Sequence, residues 1–111
     1  MKILTMLTLR PTAGQVGDVI AYYRTVGVLE ASGALASHVL VADDDPGTVM
    51  VTALWADSAA YTTWQNSPER RKFGEGMAPF FDSADAAHTR EFRVAHDHGP
   101  VVRPGRDEEN R

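Results

Sequence analysis

The 111-residue sequence contains no cysteine, which excludes disulfide bonds, thiolate metal ligands and a cysteine nucleophile. Its apolar runs are too short to span a membrane, and the N-terminal segment lacks the small-residue cleavage site of a signal peptide. No glycine-rich dinucleotide fingerprint follows a predicted strand. These absences predict a cytoplasmic protein that does not associate with membranes or bind a dinucleotide cofactor.

Clustered positive charge is also scarce. The formal net charge is −4, and the one basic run, residues 70–72, is most simply a solvated helix face. Binding to the phosphates of nucleic acid requires a clustered basic surface, so we expect no nucleic acid partner.

Two clusters contain the residue types of metal ligands, and neither has the geometry of a metal site. His96, Asp97 and His98 follow one another at the end of a predicted strand, where successive side chains point to opposite faces. The three aspartates at residues 43–45 lack the glycine and glutamate spacing of a calcium loop and are typical of a solvated turn. We therefore predict no metal ion and no other cofactor.

The remaining composition, 43% hydrophobic and 23% charged, is typical of one globular domain. We predict a domain over residues 1–97 and a tail rich in proline, glycine and charge over residues 98–111. Within the domain, apolar periodicity predicts four strands and two helical regions. The strands cover residues 2–10, 34–42, 48–55 and 88–96, the helical regions cover residues 15–31 and 57–77, and a turn over residues 43–47 joins the middle strands.

A proline interrupts the second helical region. Asp57 or Ser58 can cap its first part, which Asn66 ends. Pro68 suits the first position of a new helix and excludes Ser67 from helical geometry, so Ser67 is expected to act as a cap. We predict a bend between two helices at this point.

The order β-α-β-β-α-β predicts an α+β ferredoxin-like sandwich, in which two helical regions cover one face of a four-stranded antiparallel sheet. The first and third strands carry apolar residues on both faces. A monomer would therefore expose an apolar sheet face, and we predict that this face packs on its own copy in a two-fold homodimer.

The segment WADSAAYTTWQNSPER, residues 55–70, resembles the signature of the antibiotic biosynthesis monooxygenase family. That signature has a tryptophan at a strand end, a Ser/Glu-Ala-Tyr/Phe helix start, a second tryptophan and Ser-Pro-Glu-His. The resemblance extends over residues 2–97. It implies a dimeric ferredoxin-like α+β barrel, and some members oxidise aromatic polyketide intermediates with molecular oxygen and no metal, flavin or haem.

Two departures from related patterns bear on the chemistry. Arg70 stands where the family often has histidine, so a role that needs a neutral imidazole there is not carried over. Haem-degrading relatives have an asparagine on the first strand and a histidine about ten residues after the helix tryptophan. Here the first strand has no asparagine and Gly74 occupies the tenth position after Trp64, which removes the expected iron ligand.

The resemblance also implies a pocket between the helices and the sheet, lined by aromatic rings. Such rings give flat apolar walls for a polycyclic ligand, although rings at helical spacing are also the usual content of a core. Trp55, at a strand end, is expected to be structural. The candidate substrate-binding residues are Tyr23, Tyr61, Trp64, Phe73 and Phe80.

Oxygenation without a cofactor needs a substrate that becomes a stabilised phenolate or enolate, because ground-state oxygen accepts one electron at a time. His38, His88 and His96 are candidate bases, since histidine titrates near neutral pH. Arg90 shares a strand face with His88 and could stabilise the enolate. Each also has a structural interpretation, a surface histidine or an ion-paired arginine, so we name His38, His88 and Arg90 as candidate catalytic residues only.

The sequence therefore favours a cofactor-independent monooxygenase in secondary metabolism that uses O2 on an anthrone or polyphenol. Two alternatives stay open. The same scaffold could act as a cyclase, isomerase or decarboxylase, in which the base moves a proton without oxygen. It could also be a small-ligand-binding protein without catalysis, because the fold alone does not fix function.

Overall fold

The computed structural model describes residues 1–99, so the predicted tail lies almost wholly outside the described residues. No helix within residues 1–99 is long and apolar enough to cross a membrane; the cytoplasmic location stays a prediction. The elements are β1 (Ile3–Leu9), α1 (Val16–Val26), α2 (Val28–Ala31), β2 (Ala36–Ala42), β3 (Asp45–Trp55), α3 (Ser58–Gln65), α4 (Pro68–Met77) and β4 (Ala87–Arg93), with short 3-10 turns over Ala78–Phe80 and Ala84–Ala86.

The four strands form one antiparallel sheet in the order β2-β3-β1-β4. The first and third strands of the chain, β1 and β3, are therefore the two central strands. The hairpin places β2 next to β3 at one edge of the sheet, and β4 forms the other edge. This order, with the helices between the strands of each half, confirms the predicted ferredoxin-like fold.

The first helical region is broken at Gly27, whereas the sequence predicted a continuous helix over residues 15–31. Gly27 adopts a φ of 81°, a left-handed conformation that glycine reaches without the steric cost of a Cβ atom. It ends α1 and precedes the single turn of α2. The buried side chains Val19 and Tyr23 of α1 and Val28 of α2 face the sheet.

The hairpin turn is shorter than predicted. Asp45 already pairs with Ala42, and the register shifts beyond Val41, so that β3 contains residues 45–47 as an irregular start. Such an irregularity tolerates Pro46, which cannot donate to a regular ladder. The Thr48 hydroxyl donates to the Asp45 carboxylate at 2.8 Å and holds this start in place.

The bend between α3 and α4 is confirmed, with both predicted caps. The Asp57 carboxylate accepts a hydrogen bond from the backbone N–H of Ala60 at 2.9 Å, which selects Asp57 over Ser58 as the cap. The Ser67 hydroxyl accepts from the backbone N–H of Arg70 at 3.1 Å and donates to the carbonyl of Trp64 at 2.8 Å. One serine therefore joins the end of α3 to the start of α4.

The last strand ends at Arg93, three residues before the predicted end at His96. The chain stays at the sheet edge a little longer, because the Val94 N–H donates to the Lys2 carbonyl at 3.0 Å. The Lys2 ammonium then pairs with the Asp97 carboxylate at 3.0 Å on the surface.

The sheet has a helix-covered face and an open face. Side chains of β1 and β3 on the covered face are buried, among them Thr5, Leu9, Val49, Val51 and Trp55. None of the apolar side chains at alternating positions on the open face is fully buried. The apolar side chains of the open face are Leu4, Met6, Leu40, Met50, Leu54 and Phe92.

Gly76 gives α4 a close approach to α1. The Tyr22 hydroxyl donates to the Phe73 carbonyl at 3.0 Å, and a Cβ at Gly76 would overlap that hydroxyl and lie 2.9 Å from the ring carbon Cζ.

We expect Gly76→Ala to lower the free energy of unfolding, because it displaces Tyr22. At Gly74, where a Cβ meets nothing within 4 Å, alanine should instead add about 0.5–1 kcal/mol through helix propensity. Urea denaturation of both variants checks the opposite signs, and equal gains would contradict the close approach.

Candidate functional site

A cavity of about 480 Å³ lies between the helices and the covered face of the sheet, next to β1 and β4. Four parts of the chain form its walls: the central strand β1, the α1-α2 pair, the bend from α3 into α4, and the segment that leads to β4. Its lining side chains are mostly apolar and aromatic, as in typical small-molecule sites. They are Leu7, Leu9, Tyr23, Val28, Trp64, Arg70, Phe73, Gly74, Met77, Ala78, Phe81, Ser83 and Ala87.

A smaller chamber of about 70 Å³ adjoins this cavity, and more of its lining residues are buried, among them Thr5, Trp55 and Tyr61. We call it the inner chamber and the larger space the outer cavity. The two spaces share five lining residues, which makes them two parts of one site: Leu7, Tyr23, Val28, Trp64 and Arg70. The inner chamber adds polar atoms, because Thr5, Ser32, Tyr61 and Thr89 reach it. A ligand can therefore place rings in the outer cavity and polar substituents further in.

Four of the five predicted substrate-binding residues line this site: Tyr23, Tyr61, Trp64 and Phe73. Phe80 does not belong to the lining and packs edge-to-face on Tyr22, with ring centroids 6.1 Å apart. Its neighbour Phe81 lines the outer cavity instead. The 3-10 turn over Ala78–Phe80 turns the chain, and a sequence pattern does not indicate which of two adjacent phenylalanines faces inward.

The aromatic rings pack in the hydrophobic core and also line the candidate site. Trp64 and Phe73 lie 6.1 Å apart between centroids with a 40° tilt, and join α3 to α4 beside the outer cavity. Trp55 and Tyr61 lie 5.3 Å apart in the inner chamber. The Trp55 indole N–H donates to the Thr5 hydroxyl at 3.0 Å, which satisfies its polar atom within the core. Trp55 is thus held as a structural residue, while Trp64 is half-buried and touches both parts of the site.

The three candidate catalytic residues lie on the other side of the sheet. His38 pairs with Thr52, Arg90 with Met6 and His88 with Thr8, and all of these positions alternate with the buried ones.

The Arg90 guanidinium lies 4.9 Å from the Phe92 ring centroid, in a cation–π contact on the open face. The structure therefore does not bring His38, His88 or Arg90 to the cavity. Their catalytic role stays a prediction that the geometry of this chain does not support.

Arg70 is a charged side chain at the border of the cavity, where it stays exposed to solvent. It lines both the inner chamber and the outer cavity. Its charge reaches two tyrosine hydroxyls: burial raises the pKa of Tyr23 to about 12, against a lowering by Arg70 and a small rise from Tyr22. Burial also raises the pKa of Tyr61, and Arg70 again acts in the opposite direction. Both hydroxyls are therefore protonated at neutral pH and can donate hydrogen bonds.

In the sequence, Arg70 was a departure from the family signature, and in the structure it lines both spaces of the candidate site. Its position follows from the local cap: Ser67 and Pro68 fix the first turn of α4, and Arg70 is the third residue of that turn. The side chains of residues 1–99 include no group of three or more His, Asp or Glu that could hold a metal ion.

Comparisons with solved structures agree with the fold. SnoaB, a cofactor-independent oxygenase from Streptomyces nogalater solved as a mutant, matches with a TM-score of 0.68 and 11% identity, covering 86% of this chain and 95% of the other. A protein of unknown function from Nitrosomonas europaea matches with a TM-score of 0.74 and 17% identity, covering 91% and 96%. A candidate antibiotic biosynthesis monooxygenase from Chloroflexus aurantiacus matches with a TM-score of 0.64 and 20% identity, covering 89% and 100%.

At these identities the likeness concerns the fold. A comparison with curated proteins gives no significant match. The sequence model of one family, described as antibiotic biosynthesis monooxygenase, matches residues 3–76, which is more than half of the chain and includes β1, the hairpin, α3 and most of α4. This chain belongs to the antibiotic biosynthesis monooxygenase family.

Proposed function

We propose that the protein is a monooxygenase that uses O2, without metal or flavin, to oxidise a flat aromatic polyketide-like substrate such as an anthrone or polyphenol. The observation that carries the proposal is the cavity of about 480 Å³, lined by Trp64, Phe73 and Tyr23, in a chain of this family. The fold of SnoaB, which is a cofactor-independent oxygenase, supports it at the level of architecture.

The cavity suits a planar apolar ligand better than a flexible polar one. Its walls are aromatic and aliphatic side chains from α1, α3, α4 and β1, and each ring contact contributes about 0.5–1.5 kcal/mol beyond its buried area. Trp64 and Phe73, whose rings are tilted by 40°, both line this cavity and can contact an aromatic ligand.

For an anthrone, the proposed reaction replaces the ring CH2 group by a carbonyl, and the substrate first loses one CH2 proton to solvent. The ionised substrate gives one electron to O2, the two radicals combine to form a carbon-bound peroxide, and loss of water leaves the C=O group. One oxygen atom ends in the quinone and the other in water, so O2 is the only oxidant. In the inner chamber, the protonated Tyr61 hydroxyl can donate to the substrate oxygen on which negative charge develops.

We also propose that the working unit is a homodimer that buries the open face of the sheet. The apolar side chains of that face, which include Leu4, Met6 and Leu54, are only half-buried in one chain. Soluble monomers rarely expose a contiguous apolar patch that spans a whole sheet face. We further propose that the protein acts in the cytoplasm, in a pathway of secondary metabolism.

Purified, metal-stripped protein is expected to consume O2 and produce quinone absorbance with an anthrone, above buffer and boiled-protein controls that correct for autoxidation. The rate should rise with pH as the substrate ionises. A rate that disappears with a chelator, or that needs added flavin, contradicts the cofactor-free mechanism. Ligand binding with turnover equal to the boiled control across several polyphenols would identify a binding protein, and proton exchange without O2 uptake would identify an isomerase.

Variants of His38 and His88 in the same assay test whether a histidine on the open face of the sheet acts as the base. Loss of a general base usually lowers turnover by about 10²-fold or more. His38 and His88 lie on the open face. We therefore expect His38→Ala and His88→Ala to lower turnover by much less than about 10²-fold. A 10²-fold fall in either variant, at unchanged dimer content, would instead support the sequence-based assignment of that histidine as the base.

A further inference from the structure

We infer that Arg70 and Tyr23 together form a subsite for a carboxylate, so that the protein prefers planar aromatic substrates that carry a carboxylate group. The inference rests on the proposed function, because it assumes that the cavity receives the aromatic ring. It adds the polar group by which that substrate is selected.

The charge of Arg70 has no acidic partner within the described part of the chain. The salt bridge found in residues 1–99 joins Lys2 and Asp97 on the surface and does not include Arg70. Glu91 on β4 pairs with Thr5 and so sits on the covered face near Tyr61, yet among the described residues it forms no ion pair with Arg70. A guanidinium beside an apolar cavity without a carboxylate partner is suited to an anionic ligand.

Tyr23 supplies a second donor in the lining of the same two spaces. Its side chain is only 7% exposed and lines both parts of the site. None of the side-chain hydrogen bonds formed within residues 1–99 involves its hydroxyl. A ligand oxygen can therefore accept a hydrogen bond from this hydroxyl without displacing a protein partner. Arg70 lies close enough to act on the pKa of this hydroxyl.

The backbone of α4 does not compete for this role. The N–H of Arg70 is already bonded to the Ser67 hydroxyl at 3.1 Å, so the helix start is capped by the chain itself. The proposed subsite therefore relies on side-chain donors. A guanidinium fork and a tyrosine hydroxyl offer donors to both oxygens of a carboxylate, whereas a single phenol oxygen would use only part of them.

The neighbouring Arg71 provides a matched control. It lies one residue further along the same helix and is exposed, as Arg70 is, but it does not contribute to the lining of either space. Replacing either arginine by glutamine removes one positive charge from α4. Only Arg70→Gln removes a charge from the cavity.

The test is a fluorescence titration at neutral pH with three probes of the same ring system: anthracene-2-carboxylate, anthracene-2-carboxamide and 2-anthrol. We expect wild-type protein and Arg71→Gln to bind the carboxylate about tenfold more tightly than the carboxamide. Arg70→Gln should lose this preference but still bind the carboxamide. Tyr23→Phe should weaken carboxylate binding about fivefold. Thermal melts confirm that each variant is folded.

Three results would overturn the subsite: equal affinities of wild-type protein for carboxylate and carboxamide, an equal loss in Arg71→Gln and Arg70→Gln, or 2-anthrol binding as tightly as the carboxylate. The titration measures binding without turnover. A protein that consumes no O2 can therefore still show the Arg70-dependent preference, and an active oxygenase can lack it, so the inference and the proposed function fail separately.

Discussion

Trp55→Ala is expected to destabilise the fold by about 3–5 kcal/mol, which is a large part of the stability of a domain of this size. The indole is 2% exposed, packs 5.3 Å from the Tyr61 ring and donates to the Thr5 hydroxyl at 3.0 Å. Alanine leaves a cavity and removes that hydrogen bond. Urea denaturation of the variant measures the loss, and Trp55→Phe, which keeps most of the volume, should recover more than half of it.

Trp55 and Trp64 are expected to differ in their effects on stability and on ligand binding. Trp64 is half-buried and borders both parts of the site, so Trp64→Ala should cost less stability than Trp55→Ala and more affinity for an aromatic ligand. Titrations must compare the folded fractions only. Equal affinities in the two folded variants would show that Trp64 is a core residue without a share in binding.

A charge placed on the open face is expected to convert the proposed homodimer into a monomer. Leu4 pairs with Leu54 on one side and Phe92 on the other, so Leu4→Lys puts an ammonium group in the middle of an apolar row. Burying that charge without a partner costs several kcal/mol, enough to dissociate a dimer of micromolar affinity.

Sedimentation should give twice the chain mass for the wild-type protein and one chain mass for Leu4→Lys. Val26→Lys is the matched control, because Val26 is a 43% exposed apolar residue at the end of α1 on the helical side. A wild-type monomer at micromolar concentration would refute the dimer, and dissociation by the Val26 variant would place the interface elsewhere.

Local chemistry made several elements predictable. Ser67 and Pro68 fixed the bend between α3 and α4, since proline restricts its predecessor and serine can cap. Short apolar runs bounded by turn residues predicted the four strands and their place in the chain. The break at Gly27 and the early start of β3 at Asp45 were missed because a glycine in a helical pattern and a proline beside a turn each permit two conformations.

The site was predicted in part for a similar reason. The resemblance over residues 55–70 located Tyr61 and Trp64, and helical spacing added Phe73 and Tyr23, all of which line the outer cavity or the inner chamber. Phe80 was chosen over Phe81 without a signal to separate them. Arg70 was noticed only as a departure from a pattern, because a charged residue on a helix looks the same in sequence whether it faces solvent or a cavity.

By itself the sequence determined the elements, their order and the family, because these follow from periodicity, capping and a local signature. Only the tertiary structure decided which face of the sheet the helices cover. β1 and β3 are apolar on both faces, so their pattern does not say which parity lies inward, and one residue of register moves a side chain to the other face. The strand pairing places His38, His88 and Arg90 on the open face, and the packing of α4 on the other side brings Arg70 to the cavity.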